Sequence, residues 1–219
     1  MDVQYINGKR QYVMFDDFDL HHQILYWKNV INFPNDFVNF IEKLDLNELS
    51  YEIIPKWTEW IASNNNSVKY GYVKNIFIDP RKKILGTNDV EKKSLYIINT
   101  LLMAQEICFE RYIKRQGLNI NDYYIDSGIL QVKKYNSGQY MGPHCDNYDG
   151  HSNLAFSMVT YLNDDYKGGE ISFPNHNITL KPEAGSSIMF PATDPFVHQV
   201  FTIESGIRYV MTTSIYKRT

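Results

Sequence analysis

His144 and Asp146 stand two apart in the run Pro143-His144-Cys145-Asp146. On a β-strand their side chains would share one face, with Cys145 on the other. An imidazole and a carboxylate held side by side supply two of the three ligands of a facial nitrogen–oxygen metal site. The third would have to be a histidine from elsewhere in the fold. His198 lies in Pro195-Phe196-Val197-His198-Gln199-Val200-Phe201, followed by a Glu204-Ser205-Gly206 turn and then Arg208. A hairpin folded about Ser205 would displace Arg208 from His198 by three or four residues, about 10–13 Å along the strands. A metal-bound dicarboxylate gripped by an arginine would span a similar distance. A buried arginine is costly without an anionic partner, and its planar fork suits a carboxylate. Plainer readings stand beside these. His-x-Asp is also the ordinary polar rim of a sandwich, and His198 by itself reads as a core or turn histidine.

The whole composition narrows the chemistry. The 219 residues fit one generous domain, and 43% apolar residues supply a sizeable core. Lys and Arg number 22 against 25 Asp and Glu, a formal net charge of −3. That balance argues against a sequence-independent nucleic-acid binder or a polybasic membrane adaptor. The two cysteines, Cys108 and Cys145, are too few for a disulfide framework or a thiolate zinc site. A metal would therefore be held by nitrogen and oxygen. Met1-Asp2-Val3-Gln4-Tyr5 has no signal-peptide character, and no apolar run of about 20 residues occurs. A cytoplasmic protein without a membrane partner is expected, and its oligomeric state is left open.

The elements that must position these residues are legible in outline. A helix is predicted from Phe33-Pro34 to Leu44, capped by Asn35 or Asp36, with Phe37, Phe40, Ile41 and Leu44 as its apolar stripe. A longer helix is predicted from Asn88 or Asp89 to about Gln116, ended by Gly117. Its face of Ile97, Leu101, Ala104, Cys108 and Tyr112 should pack on something flat. Asn64-Asn65-Asn66 reads as a polar loop. From about Ser127, strand-like runs are predicted at 128–135, 139–146, 154–162, 169–173, 177–181, 186–190, 196–203 and 207–216. The expected fold class is α+β with a mostly β core, a sandwich or barrel with N-terminal helices packed against one sheet. The division is a helical or mixed support region, 1–127, and a core, 128–219, in a single domain.

The stretch from about Gly128 to Tyr216 resembles the iron(II)- and 2-oxoglutarate-dependent dioxygenases, in particular their prolyl 4-hydroxylase-like branch. The resemblance is carried by Tyr135-Asn136-Ser137-Gly138-Gln139-Tyr140, Pro143-His144-Cys145-Asp146 and Tyr161-Leu162-Asn163. It continues through Gly168-Gly169-Glu170-Ile171-Ser172-Phe173, Pro182-Glu183-Ala184-Gly185, Phe190-Pro191, His198 and Arg208. It implies a double-stranded β-helix, a jelly roll, with His144, Asp146 and His198 as iron ligands. It also implies that Arg208 clamps the distal carboxylate of 2-oxoglutarate, that Tyr135 helps to hold it, and that Ser157 stands where many members use threonine for the same bond. The cofactors implied are Fe(II), 2-oxoglutarate and O2, with ascorbate as a further expectation. The activity implied is hydroxylation of an unactivated C–H bond with release of succinate and CO2.

Departures fall on the substrate side. Met141 stands where the branch has tyrosine, with Tyr140 shifted by one. Leu154 replaces an arginine, and Ser214 replaces a tryptophan. Tyr140, Met141 and Ser214 are therefore the substrate-side candidates. The leading expectation is a peptidyl substrate, with proline first. The alternatives are the same chemistry on a free amino acid, another small molecule or a nucleobase, and a jelly-roll binding module without turnover. Arg218, the next arginine after Arg208, sits at the tail, and no basic stripe supports nucleic acid. Gly168-Gly169 reads as a turn between strands. His21, His22, His151 and His176 read as surface residues, and Cys145 as a small filler. Trp57, Trp60, Tyr70 and Tyr72 read as packing residues, with a peptide groove as the alternative.

Overall fold

The computed structural model describes residues 2–6, 9–13, 16–32, 34–43, 56–61, 69–77, 89–126, 129–147 and 153–219. His151, Gly128, Phe33, Leu44, Asn88 and the Asn64-Asn65-Asn66 stretch lie outside the described residues. The chain runs β1 (Asp2–Ile6), β2 (Lys9–Val13), β3 (Asp16–His21), β4 (Ile24–Lys28), α1 (Pro34–Lys43), β5 (Thr58–Ile61), β6 (Lys69–Phe77) and α2 (Asp89–Arg115). Next come β7 (Tyr123–Ile125), β8 (Ile129–Asn136), β9 (Met141–His144), β10 (Leu154–Tyr161), β11 (Lys167–Gly168) and β12 (Ile171–Phe173). The last strands are β13 (Ile178–Leu180), β14 (Ser187–Pro191), β15 (His198–Val200), β16 (Ile203–Ser205) and β17 (Ile207–Lys217).

A nine-stranded sheet has the order β3-β4-β14-β10-β17-β8-β6-β5, with β7 pairing the end of β17. A four-stranded sheet has the order β13-β12-β15-β9. Pairing is antiparallel in both, and the period-2 alternation of side chains gives the large sheet two different faces. Leu130, Val132, Phe156, Met158, Met189 and Met211 are buried in one apolar cluster with Ile97, Leu101, Ala104, Cys108 and Tyr112 of α2 and with Phe37 and Ile41 of α1. Ile188, Phe190, Tyr161 and Val210 point the other way, into a second cluster with Ile171 and Phe173 of the four-stranded sheet. Each fully buried Leu, Ile or Phe there stabilises the fold by about 1.5–3 kcal/mol. The predicted face of α2 is the face that packs. Gly117, at φ +66°, ends the helix, and the Leu118 amide donates to the Ile113 carbonyl at 3.0 Å.

The region before residue 128, expected as a helical or mixed support with helices packed against one sheet, is built mainly of strands. Among the described residues seven strands, β1 to β7, stand there beside the two helices, and five of them, β3 to β7, join the large sheet. Short alternating segments such as Phe18–Leu20 and Leu25–Trp27 find partners on an existing sheet edge, which local helical periodicity cannot reveal. Helix α1 begins at Pro34, so Asp36 lies in its first turn and is not its cap. Its far end is tied to the large sheet, where Glu42 accepts hydrogen bonds from Tyr209 at 2.6 Å and Lys134 at 2.7 Å. No helix among the described residues is long and apolar enough to cross a membrane.

Candidate metal centre

Strand β15 pairs with β9 so that His198 stands opposite His144, with ring centres 4.3 Å apart. Each imidazole is turned by its own backbone. His144 Nδ1 lies 2.8 Å from the Gly142 carbonyl, and His198 Nδ1 lies 3.2 Å from the Phe196 carbonyl. A carbonyl can only accept, so Nδ1 carries the proton in both rings and Nε2 is left as a lone-pair donor. Both Nε2 atoms face Asp146, at 3.5 Å from Oδ1 for His144 and 3.7 Å from Oδ2 for His198. The three potential ligand atoms lie within 4.8 Å of one another.

Asp146 reaches this position differently from the way its spacing suggests. Strand β9 stops at His144, and Asp146 sits in the turn that follows, anchored by the Asn147 amide donating to the Ala192 carbonyl at 2.9 Å. The shared face is therefore made by a turn and not by the pleat. Cys145 is buried, and burial pushes its thiol pKa up, as befits a filler residue.

Electrostatics prepares the same centre. Burial pushes the Asp146 carboxyl pKa up, but the adjoining His144 and His198 rings, the Ser157 hydroxyl and Lys133 together hold it well below the usual carboxylate range. His198 is pushed down to about 4, first by burial, with Asp146 opposing. A neutral imidazole and an ionised carboxylate are the protonation states a metal ligand set requires. Two nitrogens and one carboxylate with an open side fit a divalent iron-type cation better than magnesium or calcium, which favour oxygen alone.

The second half of the site comes from the facing sheet. Arg208 and His198 are not hairpin partners. Strand β16 pairs with β11, and Gly206 at φ +84° turns the chain into β17 of the large sheet. The two residues meet across a cavity of about 220 Å³, whose lining includes His144, Asp146, His198, Arg208, Tyr135 and Ser157. Arg208 is only 1% exposed, yet its Nε and Nη1 have no hydrogen-bond partner. Its guanidinium carbon lies 4.9 Å from the Tyr135 ring centre and 5.2 Å from that of Tyr161. The hydroxyls of Tyr161 and Tyr166 are also buried and unpartnered. Burying four such groups together is costly unless an anion completes them, and a carboxylate fits this cradle. Gly169 makes room for it. It adopts φ +70°, and a Cβ there would stand 2.4 Å from Ile203 Cδ1 and 3.4 Å from Arg208 Cδ.

Several expected placements need correction or addition. Ser157 pairs with Ser214, six residues from Arg208 along β17, and sits beside Asp146, so its hydroxyl belongs to the triad end and not to the arginine end. Met141 and Ser214 line the cavity, whereas Tyr140 is 39% exposed and lies outside its lining. His21 and His176 are not plain surface residues. Their rings lie 4.4 Å apart, and that of His176 stacks on Phe196 at 4.7 Å. Trp57 packs under Lys74, Lys134 and Tyr209, while Trp60 stands edge-on to Tyr135 beneath Lys133. The residues missed by motif reading are Gln131 and Lys133 in the cavity lining and Tyr166 beside Arg208. Gln131 and Lys133 share Tyr135's face of β8, and counting back by twos from Tyr135 would have found them.

Comparison with known proteins agrees with this arrangement. Residues 130–216 match the 2OG-Fe(II) oxygenase superfamily model. A PKHD-type hydroxylase of Prochlorococcus marinus (strain NATL2A) is 34% identical over 140 residues, which cover 59% of this chain and 62% of that protein. The chain thus matches less than two thirds of that relative's length. Among solved structures, the viral collagen prolyl hydroxylase of Paramecium bursaria Chlorella virus-1 superposes with a TM-score of 0.57 at 16% identity, covering 90% of this chain and 97% of the other. A prolyl hydroxylase of Trichoplax adhaerens, in complex with a hypoxia inducible factor peptide fragment, gives 0.59 at 18%, covering 90% and 84%. At such identities the likeness is one of fold.

Proposed function

We propose, for a chain whose residues 130–216 belong to the 2OG-Fe(II) oxygenase superfamily, an Fe(II)- and 2-oxoglutarate-dependent dioxygenase that hydroxylates an unactivated C–H bond of a peptidyl residue. The carrying observation is the pairing of two half-sites in one cavity. A triad with two free Nε2 lone pairs faces a buried guanidinium that lacks an anion. Iron(II), 2-oxoglutarate and dioxygen, when bound, supply the oxidising power that inserts one oxygen atom, with succinate and CO2 as co-products.

The chain's own residues bind, orient and exclude. His144, His198 and Asp146 hold the metal on one side and leave the other open. Arg208 takes the distal carboxylate of 2-oxoglutarate, with the Tyr161 and Tyr166 hydroxyls and the Tyr135 ring completing its cradle. Met141, Val159, Ile171 and Val200 give the cavity apolar walls that keep water from the reacting centre. Ser157 steadies the Asp146 carboxylate. Met141 and Ser214 border the substrate approach. The facing antiparallel sheets support the double-stranded β-helix reading, with 128–219 as catalytic core and 1–127 as its support in one domain. A peptidyl substrate is favoured by the peptide held by the Trichoplax neighbour.

The test is an anaerobic titration of iron(II) and 2-oxoglutarate, following the weak visible absorption of their chelate. The wild type should develop the band and Asp146→Ala should not. A wild type without the band would sink the assignment. Mass spectrometry of proline-rich peptides, then of free amino acids, for the gain of one oxygen atom separates the substrate classes.

A further inference from the structure

Lys133 has no part in the triad or in the Arg208 cradle, yet it lines the same cavity. On β8 it lies two residues, about 7 Å, from Tyr135. Tyr135 pairs with Arg208 and Lys133 with Val210, so Lys133 occupies the adjoining layer of the cavity wall. Its ammonium lies 3.8 Å from the centre of the Trp60 ring, which supports the chain from below. No carboxylate among the described residues is within ion-pair distance of that ammonium. The nearest charges of consequence are Asp146, which attracts it, and Arg208, which repels it. Burial pushes its pKa down to about 8. The cavity wall therefore holds two cations: Arg208 at the far end, and Lys133 beside the space between Arg208 and the triad.

On the reading that the triad and Arg208 hold iron and 2-oxoglutarate, we propose that Lys133 is a second carboxylate-binding residue, gripping the carboxylate of 2-oxoglutarate that lies at the metal end. Three observations carry this. Lys133 and Asp146 line the same cavity. The layer of Lys133 and Val210 adjoins that of Tyr135 and Arg208 on the wall of the cavity that also holds the triad, so a 2-oxoglutarate spanning metal and Arg208 would pass it. A half-buried ammonium seated on an indole face still has donors to give to an anion. Each end of the dianion is then met by a cation. The ammonium also opposes the metal, because a positive charge beside Asp146 repels another cation.

The experiment measures affinities and needs no turnover. Anaerobic titrations of the iron-loaded protein use 2-oxoglutarate and 2-oxopentanoate, which has a methyl in place of the distal carboxylate. Lys133→Met should weaken both ligands by the same factor, about tenfold or more for a charge-assisted hydrogen bond. It should leave the affinity for iron(II) alone unchanged or raised. Lys133→Arg should restore most of the loss. Arg208→Met should weaken 2-oxoglutarate and leave 2-oxopentanoate unaffected. Equal binding of both ligands by wild type and Lys133→Met overturns the proposal and points Lys133 toward substrate. A loss confined to 2-oxoglutarate also overturns it, placing Lys133 with Arg208 at the distal end. A wild type that binds neither ligand would instead refute the functional assignment itself.

Discussion

His198 is buried among Phe173, Phe190 and the neighbouring His144 ring, and that burial holds it neutral down to about pH 4. Its folded pKa thus lies below the ordinary 6.5. As pH falls from about 6.5 to 4, the unfolded chain takes up a proton that the native imidazole refuses, so native stability falls across that window. The loss should reach about 3 kcal/mol for the metal-free protein, measured by urea denaturation at stepped pH. Asp146, held below its usual range, adds a loss of the same sign at still lower pH. His198→Gln should flatten the upper part of the profile. An unchanged profile would mean that another group controls the acid limb. The same burial leaves His198 ready for a cation near neutral pH: no proton has to leave its Nε2 first.

At the scale of elements, two glycines with similar backbone angles carry different roles. Gly117 ends α2 at φ +66° with nothing near its absent Cβ, whereas Gly169 at φ +70° touches the seat of Arg208. Gly117→Ala should cost about 1–2 kcal/mol of stability through backbone strain alone and leave 2-oxoglutarate affinity untouched. Gly169→Ala adds a steric clash against Ile203 and should cost about 1–3 kcal/mol more, while also weakening 2-oxoglutarate. Thermal unfolding and the chelate titration read these out separately. If Gly169→Ala lost stability without affinity, the loop would not position the guanidinium. The triad residues depend equally on short elements: β15 and β9 fix the two histidines in register, and the turn after His144 brings in Asp146.

Across the whole molecule, the site straddles two sheets. The histidines belong to the four-stranded sheet and Arg208 to the nine-stranded one, so on the proposed reading metal alone would engage one layer while 2-oxoglutarate would join both. Each ligand that binds only the native state, at about a hundred times its Kd, adds about 2.7 kcal/mol. Wild type should therefore be stabilised in two steps, first by a redox-inert divalent metal and then by 2-oxoglutarate, as read by thermal unfolding. Arg208→Ala should keep the first step and lose most of the second. A second step that survived in this variant would deny that the guanidinium links the layers. Much of this architecture was legible before folding: the strand runs after residue 128, the apolar face of α2, and the choice of His144, Asp146, His198 and Arg208, which the fold brings to one cavity. Those features rest on local periodicity and residue type, which the chain carries in itself. The contribution of β3 to β6 to the large sheet, the turn that delivers Asp146 and the crossing from β16 to β17 depend on pairing between distant segments. So does the gathering of Tyr161 and Tyr166 around Arg208 and of Trp60 against Lys133. Local propensity is silent on which edge a strand will find. The sequence by itself therefore determined which groups are candidates for the chemistry, and only the tertiary structure decided which sheet each stands on and what surrounds it, because strand pairing is non-local whereas side-chain alternation is not.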